Sequence, residues 1–584
     1  MPEQMITTDG ARHVPPVAIS ATSTLVTRTG SWKYQQPAYH DRVAPCNARC
    51  PVGIDIEGYL NCLREGRVDD ARDLLLMENP MPAVTGRVCH HPCETACNRR
   101  VLDGAVAIHA VERAMGDFAH EHPAPVLLGT QRAERVAVIG SGPAGLAAAY
   151  HLARFGYGVT IFEAHAEAGG MLRLGIPTYR LPREVLDKDI ARITAHRVEI
   201  KCGVKVGVDI SWNEIVTSFD AVVVSTGAHT SRALGVPGEQ LDGVRPGLAF
   251  LREVNAGQRP VLGANVIVVG GGNTAMDCAR SALRLGAKVT VVYRRTRDEM
   301  PAIREEIEDA AREGAEFVFL ANPAEFTASN GRVSAMVCER MALGEADASG
   351  RRRPVSTGET YTLPADTVLT AIGESSALEG FLPNIEGSDS GLRVDALGGT
   401  SRDLLFAGGD VTDLERTVAD ALGAGKRAAI GIDRHLRHHH GETAELNALR
   451  FAQGNLSATR WLHSDPITRI APLNETVGPD DLNLSQFRKL ARHNDPHLAA
   501  DRAVSGFDEV NAGLTTAEAM DEAQRCFNCG VCTQCDVCMT FCPDAAITQN
   551  ENGYYTVAMD YCKGCGLCAA ECPRGAITMT QDRP

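Results

Sequence analysis

The sequence predicts a multidomain α/β protein: a cysteine-bearing helical domain at the N-terminus, two parallel-sheet domains in the middle and a small α+β domain at the C-terminus. Three observations predict it. A chain of 584 residues is too long for one hydrophobic core and divides into several. Most of its 19 cysteines crowd between Cys46 and Cys97 and between Cys526 and Cys572, so ends and middle do different chemistry. In the middle, Val- and Ile-rich runs closed by glycines and followed by helical stretches begin near Val136 and again near Val266, the pattern of strand-helix-strand units.

Composition excludes several classes. A net charge of -15 opposes nucleic-acid binding, which needs clustered Lys and Arg. No apolar run approaches the length of a bilayer, and Met1 to Gly30 lack the charged-then-apolar order of a secretory signal, so no membrane span and a cytoplasmic location are expected. In a large chain without an export signal, metal ligation is a better reading of the cysteines than disulfides.

In chain order, residues 1–40 are rich in Thr, Pro and Ser and read as an extended arm, with Trp32 anchoring it on a neighbouring surface. Residues 41–130 interleave cysteines with amphipathic stretches such as Ile56 to Leu63 and Val68 to Met77, a small helical domain. Residues 131–250 and 360–440 read as one discontinuous dinucleotide-binding domain, with a second nucleotide-binding domain, 251–359, inserted in it. The run His438-His439-His440 reads as a solvated helix end. Residues 441–525, with many Pro, Asn, Asp and His, read as a surface linker. Residues 526–584 hold the C-terminal cysteine runs.

The first nucleotide unit begins with the strand Val136 to Ile139, runs into Gly140-Ser-Gly142-Pro143-Ala144-Gly145 and an alanine-rich helix, and closes on Val159 to Glu163. Gly140 permits the tight turn, Gly142 lets the backbone approach a pyrophosphate, and Gly145 lets helix and strand pack closely. The helix N-terminus attracts the anion, and Glu163 suits ribose hydroxyls. A glycine triplet alone is weak, but strand, helix, spacing and acid coincide here. Gly170, the turn after Val222 to Ser225 carrying Thr226 and Gly227, and the turn after Leu404 to Ala407 carrying Gly409 and Asp410 fit the same site, the last resembling a segment that holds a flavin's ribityl chain.

The second unit is Val266 to Val269, then Gly270-Gly-Gly272-Asn273-Thr274-Ala275, a helix and the strand Lys288 to Tyr293. It leads to Arg294 and Arg295 where the first copy has an acid, and guanidinium forks suit a 2′-phosphate, which favours NADPH over NADH. Surface ion pairs between these arginines and the acidic helix from Glu305 to Asp309 are the alternative. Both domains are therefore Rossmann-like.

Near the C-terminus, Cys532, Cys535, Cys538 and Cys542-Pro are followed by Cys562, Cys565, Cys568 and Cys572-Pro, with identical spacing. This matches the bacterial two-cluster ferredoxin run, in which the fourth cysteine of each run ligates the other cluster. One 4Fe-4S cluster is expected on Cys532, Cys535, Cys538 and Cys572, the other on Cys562, Cys565, Cys568 and Cys542, in a ferredoxin-like α+β domain. A zinc ribbon needs fewer cysteines per unit. Nicotinamide gives two electrons as hydride whereas a cluster accepts one, so the first site must hold a flavin, FAD, to couple them.

Several segments, among them Cys50-Pro-Val-Gly-Ile-Asp-Ile, Asn79-Pro-Met-Pro, Gly86-Arg-Val-Cys89, Gly175-Ile-Pro-Thr-Tyr-Arg, Gly270-Gly-Gly-Asn-Thr-Ala-Met-Asp and Tyr293-Arg-Arg, resemble the glutamate synthase small subunit and its relatives across nearly the whole chain. The resemblance implies an FAD and NAD(P)H electron-input module with N-terminal clusters. The usual Cys-x2-Cys upstream of Cys46 is missing, and a similar phrase, Glu522-Ala-Gln-Arg-Cys526-Phe-Asn-Cys529, precedes the ferredoxin run. The resemblance then implies one cluster on Cys46, Cys97, Cys526 and Cys529 and a second on Cys50, Cys89 and Cys93 with Glu112 as a non-cysteine ligand. One N-terminal cluster with spare thiols stays open. Cys62, Cys202, Cys278 and Cys338 read as buried small apolar residues.

The expected function is NAD(P)H:acceptor oxidoreductase, the electron-transfer subunit of a hetero-oligomeric complex. The protein redox partner is expected near the ferredoxin-like domain, and the resemblance suggests a 2-oxoacid:acceptor oxidoreductase or dissimilatory sulfite reductase. A glutamate synthase small subunit and a non-catalytic iron-sulfur scaffold are the alternatives. No nucleophile, acid or base for organic substrate chemistry stands out.

Overall fold

The computed structural model describes residues 28–126, 128–346, 351–376, 387–388, 391–437, 446–462 and 473–582. The His438-His440 expectation lies outside these residues, as does most of the arm. The chain forms two compact units. The larger draws its described residues from Pro45–Asn474 and Leu490–Cys526, the smaller from Met1–Ala44, Glu475–Lys489 and Phe527–Pro584.

In the larger unit, the first sheet has five parallel strands in the order Leu405–Ala407, Ala221–Val224, Arg135–Ile139, Gly158–Glu163, Val198–Cys202. Its inner strands are apolar along their length because helices cover both faces of a parallel sheet. Helix Pro143–Arg154 follows the central strand and packs along helix Val418–Arg437. The second sheet, also parallel, runs Glu316–Phe319, Lys288–Tyr293, Asn265–Val269, Thr367–Thr370, Val244–Pro246. It is inserted in the first, and the chain enters and leaves it through the antiparallel pair Thr230–Ser231 and Glu374–Ser375. A three-stranded antiparallel sheet, Ala321–Ser329, Arg332–Ala346 and Arg352–Pro364, packs Phe326, Met336 and Cys338 on Ile267, Val269 and Val292 of the second sheet.

The N-terminal part of this unit is helical. Helix Ile56–Arg64 is capped by Asp55, whose carboxylate accepts from the Gly58 amide at 3.1 Å, and is followed by Val68–Glu78, Pro82–Val88 and Ile108–Glu121. The stretch 490–526 shows little periodicity, yet it is tied down by polar contacts. Glu509 accepts from Arg87 at 2.7 Å, the Val510 amide donates to Tyr179 O at 3.0 Å, and helix Thr516–Ala523 carries a capping box from Thr515 and Glu518 and packs on helix Ile108–Glu121. Such bonds leave no hydrophobic period for a sequence pattern to register.

The smaller unit repeats itself. Helices Val537–Thr540 and Leu567–Ala570 follow equivalent cysteines, and left-handed backbone recurs at matching points: Gln534 and Gly564, Asp536 and Gly566, Ala545 and Gly575. The same turns are imposed twice, the second time on glycine, where positive φ costs least. Strand Gln35–Tyr39 pairs antiparallel with Ile577–Gln581 in this unit. Trp32 is 62% exposed, so strand pairing rather than that indole holds the described part of the arm. The architecture is the expected α/β one, with two Rossmann-like sheets and a ferredoxin-like α+β part.

Candidate functional site

The carboxyl ends of four adjacent strands of the first sheet converge. After Ile139 comes Gly140, at φ 101°, and a Cβ on Gly145 would fall 2.0 Å from Gly140 O, so this helix can meet this loop only through glycine. Gly142 faces open space, which leaves its backbone approachable, and Pro143 opens the helix, followed by Ala144. Glu163, buried at the end of the next strand, accepts from the Ser141 amide at 2.9 Å, Ser141 Oγ at 2.5 Å and the His165 amide at 2.8 Å. Gly170 closes onto Gly142, and the Thr226-Gly227 and Gly409-Asp410 turns follow the two neighbouring strands. Burial pushes the Asp410 carboxyl up, against the pull of Arg416. Adjacent backbone amides, an open loop and a carboxylate at the second strand's end fit an adenine dinucleotide.

In the second sheet Gly270 and Gly272 lead into helix Asn273–Arg284, which carries Thr274 and the buried Ala275. Asn273 Oδ1 accepts from the Ile303 amide at 2.9 Å, fastening the first turn. The two arginines part company: Arg294 is exposed, whereas Arg295 is buried and donates from Nε to Arg352 O at 2.8 Å. On the acidic helix Arg304–Arg312, Glu306 is held by Arg180 and Arg280 at 2.6 and 2.5 Å, and Asp309 lies 3.2 Å from Arg280. Those positions are thus taken by arginines that the sequence patterns did not single out. Arg180 also meets both oxygens of Asp277, and both residues lie in segments that carried the family resemblance.

One cavity brings together Cys50, Cys89, Cys93 and Glu112, with Thr85 and Ala419 in its wall. Glu112 Oε1 accepts from Asn79 Nδ2 at 2.9 Å and Thr85 Oγ1 at 2.5 Å, and burial raises its carboxyl to about 7. Burial likewise pushes the Cys50 thiol up to about 11 and the Cys93 thiol well above its ordinary value. Buried thiols crowded with a carboxylate suit a metal cluster, whose positive charge offsets that cost. Cys46 is buried, and Cys97 and Cys526 are partly so. Cys526 follows Arg525, whose guanidinium donates to Ala105 O, Gly104 O and Glu522 Oε1, fixing this turn beside the 97–107 loop. Cys529 belongs to the smaller unit.

In the smaller unit a cavity is lined by Cys542, Cys562, Cys565 and Cys568, with Pro37 and Ile547. Burial raises the Cys532 thiol, and the charges of Cys535 and Cys572 add to it. Cys538 and Cys572 are buried in the same core. Cys532, Cys535, Cys538 and Cys572 thus share one neighbourhood, as do Cys542, Cys562, Cys565 and Cys568. Of the remaining thiols Cys62, Cys278 and Cys338 are buried as expected, but Cys202 is exposed, because it ends the edge strand of its sheet.

Residues 134–428 match the family model for pyridine nucleotide-disulphide oxidoreductase, 39–124 that for dihydropyrimidine dehydrogenase domain II with its 4Fe-4S cluster, and 555–578 that for the 4Fe-4S binding domain. The chain is 40% identical over 516 residues to the NADP(+)-dependent formate dehydrogenase subunit beta of Moorella thermoacetica, covering 83% of this chain and 70% of that one. It is 38% identical over 521 residues to the NADPH-Fe(3+) oxidoreductase subunit beta of Geobacter sulfurreducens, covering 83% and 75%. The glutamate synthase [NADPH] small chain of Escherichia coli is 37% identical over 412 residues, covering 66% and 87%. Among the described residues no helix is long and apolar enough to cross a membrane.

Proposed function

Because this chain belongs to the pyridine nucleotide-disulphide oxidoreductase family, with FAD, NAD(P)H and 4Fe-4S clusters as its cofactors, we propose that it is the subunit that relays electrons between NADPH and a catalytic partner protein. FAD, when bound, accepts two electrons from nicotinamide and gives them up singly to iron-sulfur clusters. Gly140, Gly142 and Gly145 with the first turn of helix Pro143–Arg154 hold its pyrophosphate, Glu163 its ribose, and Thr226, Gly227, Gly409 and Asp410 its ribityl side. Gly270, Gly272 and the turn from Asn273 to Ala275 hold the second nucleotide, and Arg294 faces the 2′-phosphate.

The observation that carries this reading is the wall shared by the Cys50, Cys89, Cys93 and Glu112 cavity with Ala419. Ala419 lies in the first turn of helix Val418–Arg437, and Ala421 of the same helix would lie 3.7 Å from a Cβ at Gly409, so one helix touches both the flavin turn and the cluster cavity. Cys50, Cys89, Cys93 and Glu112 then hold the cluster next to the flavin. Cys46, Cys97 and Cys526 serve the next, and the two crossed sets of the smaller unit hold the terminal pair. Iron counting on the Cys526→Ser/Cys529→Ser double variant tests the set to which those thiols are assigned: an unchanged count and spectrum reject it.

The matches to the formate dehydrogenase and NADPH-Fe(3+) oxidoreductase beta subunits cover 83% of this chain against 66% for the glutamate synthase small chain, which favours a catalytic partner other than glutamate synthase. The decisive experiment is anaerobic addition of NADPH to purified protein. Bleaching of the flavin band within seconds is expected, and a band left intact by both NADPH and NADH would favour the scaffold.

A further inference from the structure

Helix Val418–Arg437 separates the flavin loop from the cluster cavity, and one stripe of it runs along the loop that carries Cys50. Ala419 lines the cavity. One turn on, a Cβ at Gly423 would fall 2.1 Å from Pro51 O, so the helix lies directly on that loop. Two turns on from Ala419, Lys426 lies on the same face, with Nζ 3.5 Å from Gly53 O. Lys426 is completely buried, and its ammonium is 2.7 Å from Glu78 Oε2. Glu78 in turn accepts from Ser457 Oγ at 2.6 Å and from the amides of Ala458 and Thr459 at 2.9 and 3.0 Å. The carboxylate is thus anchored on the far side, while the ammonium is turned to the Cys50 loop.

A buried ion pair is a costly way to hold three segments together, since well-packed apolar side chains of similar volume would do it as well. Its orientation supplies something that apolar packing would not: a fixed positive charge against the loop that carries Cys50, in a region without solvent to screen it. We propose that Lys426 is a positioning residue for electron transfer, setting the reduction potential of the cluster held by Cys50. The step is one electron passing from the reduced flavin to that cluster, with no bond made or broken and no proton moved. The cluster becomes more negative by one charge, and the ammonium favours that reduced state, raising the cluster's potential.

This inference rests on the assignment of Cys50 as a ligand, so the experiment separates the two. Loss of iron and of one cluster signal in Cys50→Ser tests the assignment; an unchanged count overturns it and the inference with it. The role of Lys426 is read from EPR-monitored redox titration of the intact flavoprotein. Lys426→Met is expected to keep its iron and shift one cluster to lower potential, leaving the terminal clusters unmoved. Lys426→Arg, which keeps the positive charge, is expected to leave that potential near its wild-type value. A merely structural role would not make the potential follow the charge. Lys426→Met at wild-type potential with full iron, or Lys426→Arg shifted as far as Lys426→Met, overturns the proposal; if Lys426→Met does not fold, Lys426→Gln, read in the same way, decides.

Discussion

Arg180 and Asp277 meet with Nη1 2.9 Å from each carboxylate oxygen, both side chains buried. Arg180 belongs to the flavin-binding part and Asp277 to the helix that begins at the second glycine loop, so the pair fixes one nucleotide-binding sheet against the other. Arg180 also lies 2.6 Å from Glu306, and the Arg284 guanidinium stacks 3.8 Å over the Tyr179 ring. Breaking a buried pair by removing one partner costs about 3–5 kcal/mol, because the other charge is left uncompensated. Arg180→Leu is therefore expected to lower the thermal midpoint and to slow NADPH-dependent flavin bleaching by about tenfold or more, through loss of alignment for hydride transfer. Stopped-flow spectroscopy checks it, and a variant with wild-type bleaching would show that the pair does not set the geometry.

The glycine loops and the cysteine runs were legible because their chemistry is local: a turn, a helix start or a ligand spacing is written within a few residues. Arg180 with Asp277 and Lys426 with Glu78 were not, since each partner is distant in sequence and neither lies in a periodic pattern. The 2′-phosphate expectation treats Arg294 and Arg295 as equals, although neighbours leaving a strand point to opposite faces; that alternation alone separates the exposed arginine from the buried one. Cys202 is expected to be buried only because a free thiol packs like a small apolar side chain, a rule that does not say whether its strand lies at a sheet edge.

The two arginines give the second prediction. Arg294→Ala is expected to weaken NADPH binding about tenfold, about 1.4 kcal/mol, with little change for NADH. Arg295→Ala is expected to leave the NADPH to NADH ratio nearly unchanged and to loosen the sheet whose Arg352 carbonyl it holds. Titration calorimetry with both nucleotides decides it, and equal losses of both nucleotides in Arg294→Ala would remove the 2′-phosphate assignment.

Gln35–Tyr39 is part of the ferredoxin-like unit, and the third prediction follows from that. Pro37 lines the cavity of Cys542, Cys562, Cys565 and Cys568, and a Cβ on Gly564 would lie 2.1 Å from Gln35 O. The strand was unreadable as such because its partner, Ile577–Gln581, is at the other end of the sequence. Deleting residues 1–40 is expected to cost the terminal clusters, up to roughly eight irons per chain, while NADPH still bleaches the flavin. Full iron in the truncated protein would mean that the strand is dispensable.

His229 supplies a pH dependence. It follows the Thr226-Gly227 turn, and its Nδ1 accepts from Arg252 Nη2 at 2.8 Å. Burial, and then the charge of Arg252, hold its imidazolium form back, lowering its pKa to about 4. In the unfolded chain an unperturbed histidine titrates near pH 6.5. Between these values the unfolded state binds the proton that the folded state refuses, so folding stability is complete above about pH 6.5 and falls as the pH drops toward 4. A depression of that size is worth up to about 3 kcal/mol. The thermal midpoint of the intact protein is expected to fall between pH 7 and pH 4.5, and His229→Gln, whose amide oxygen still accepts from Arg252, should flatten that slope. An identical slope in the variant would place the acid sensitivity in other groups.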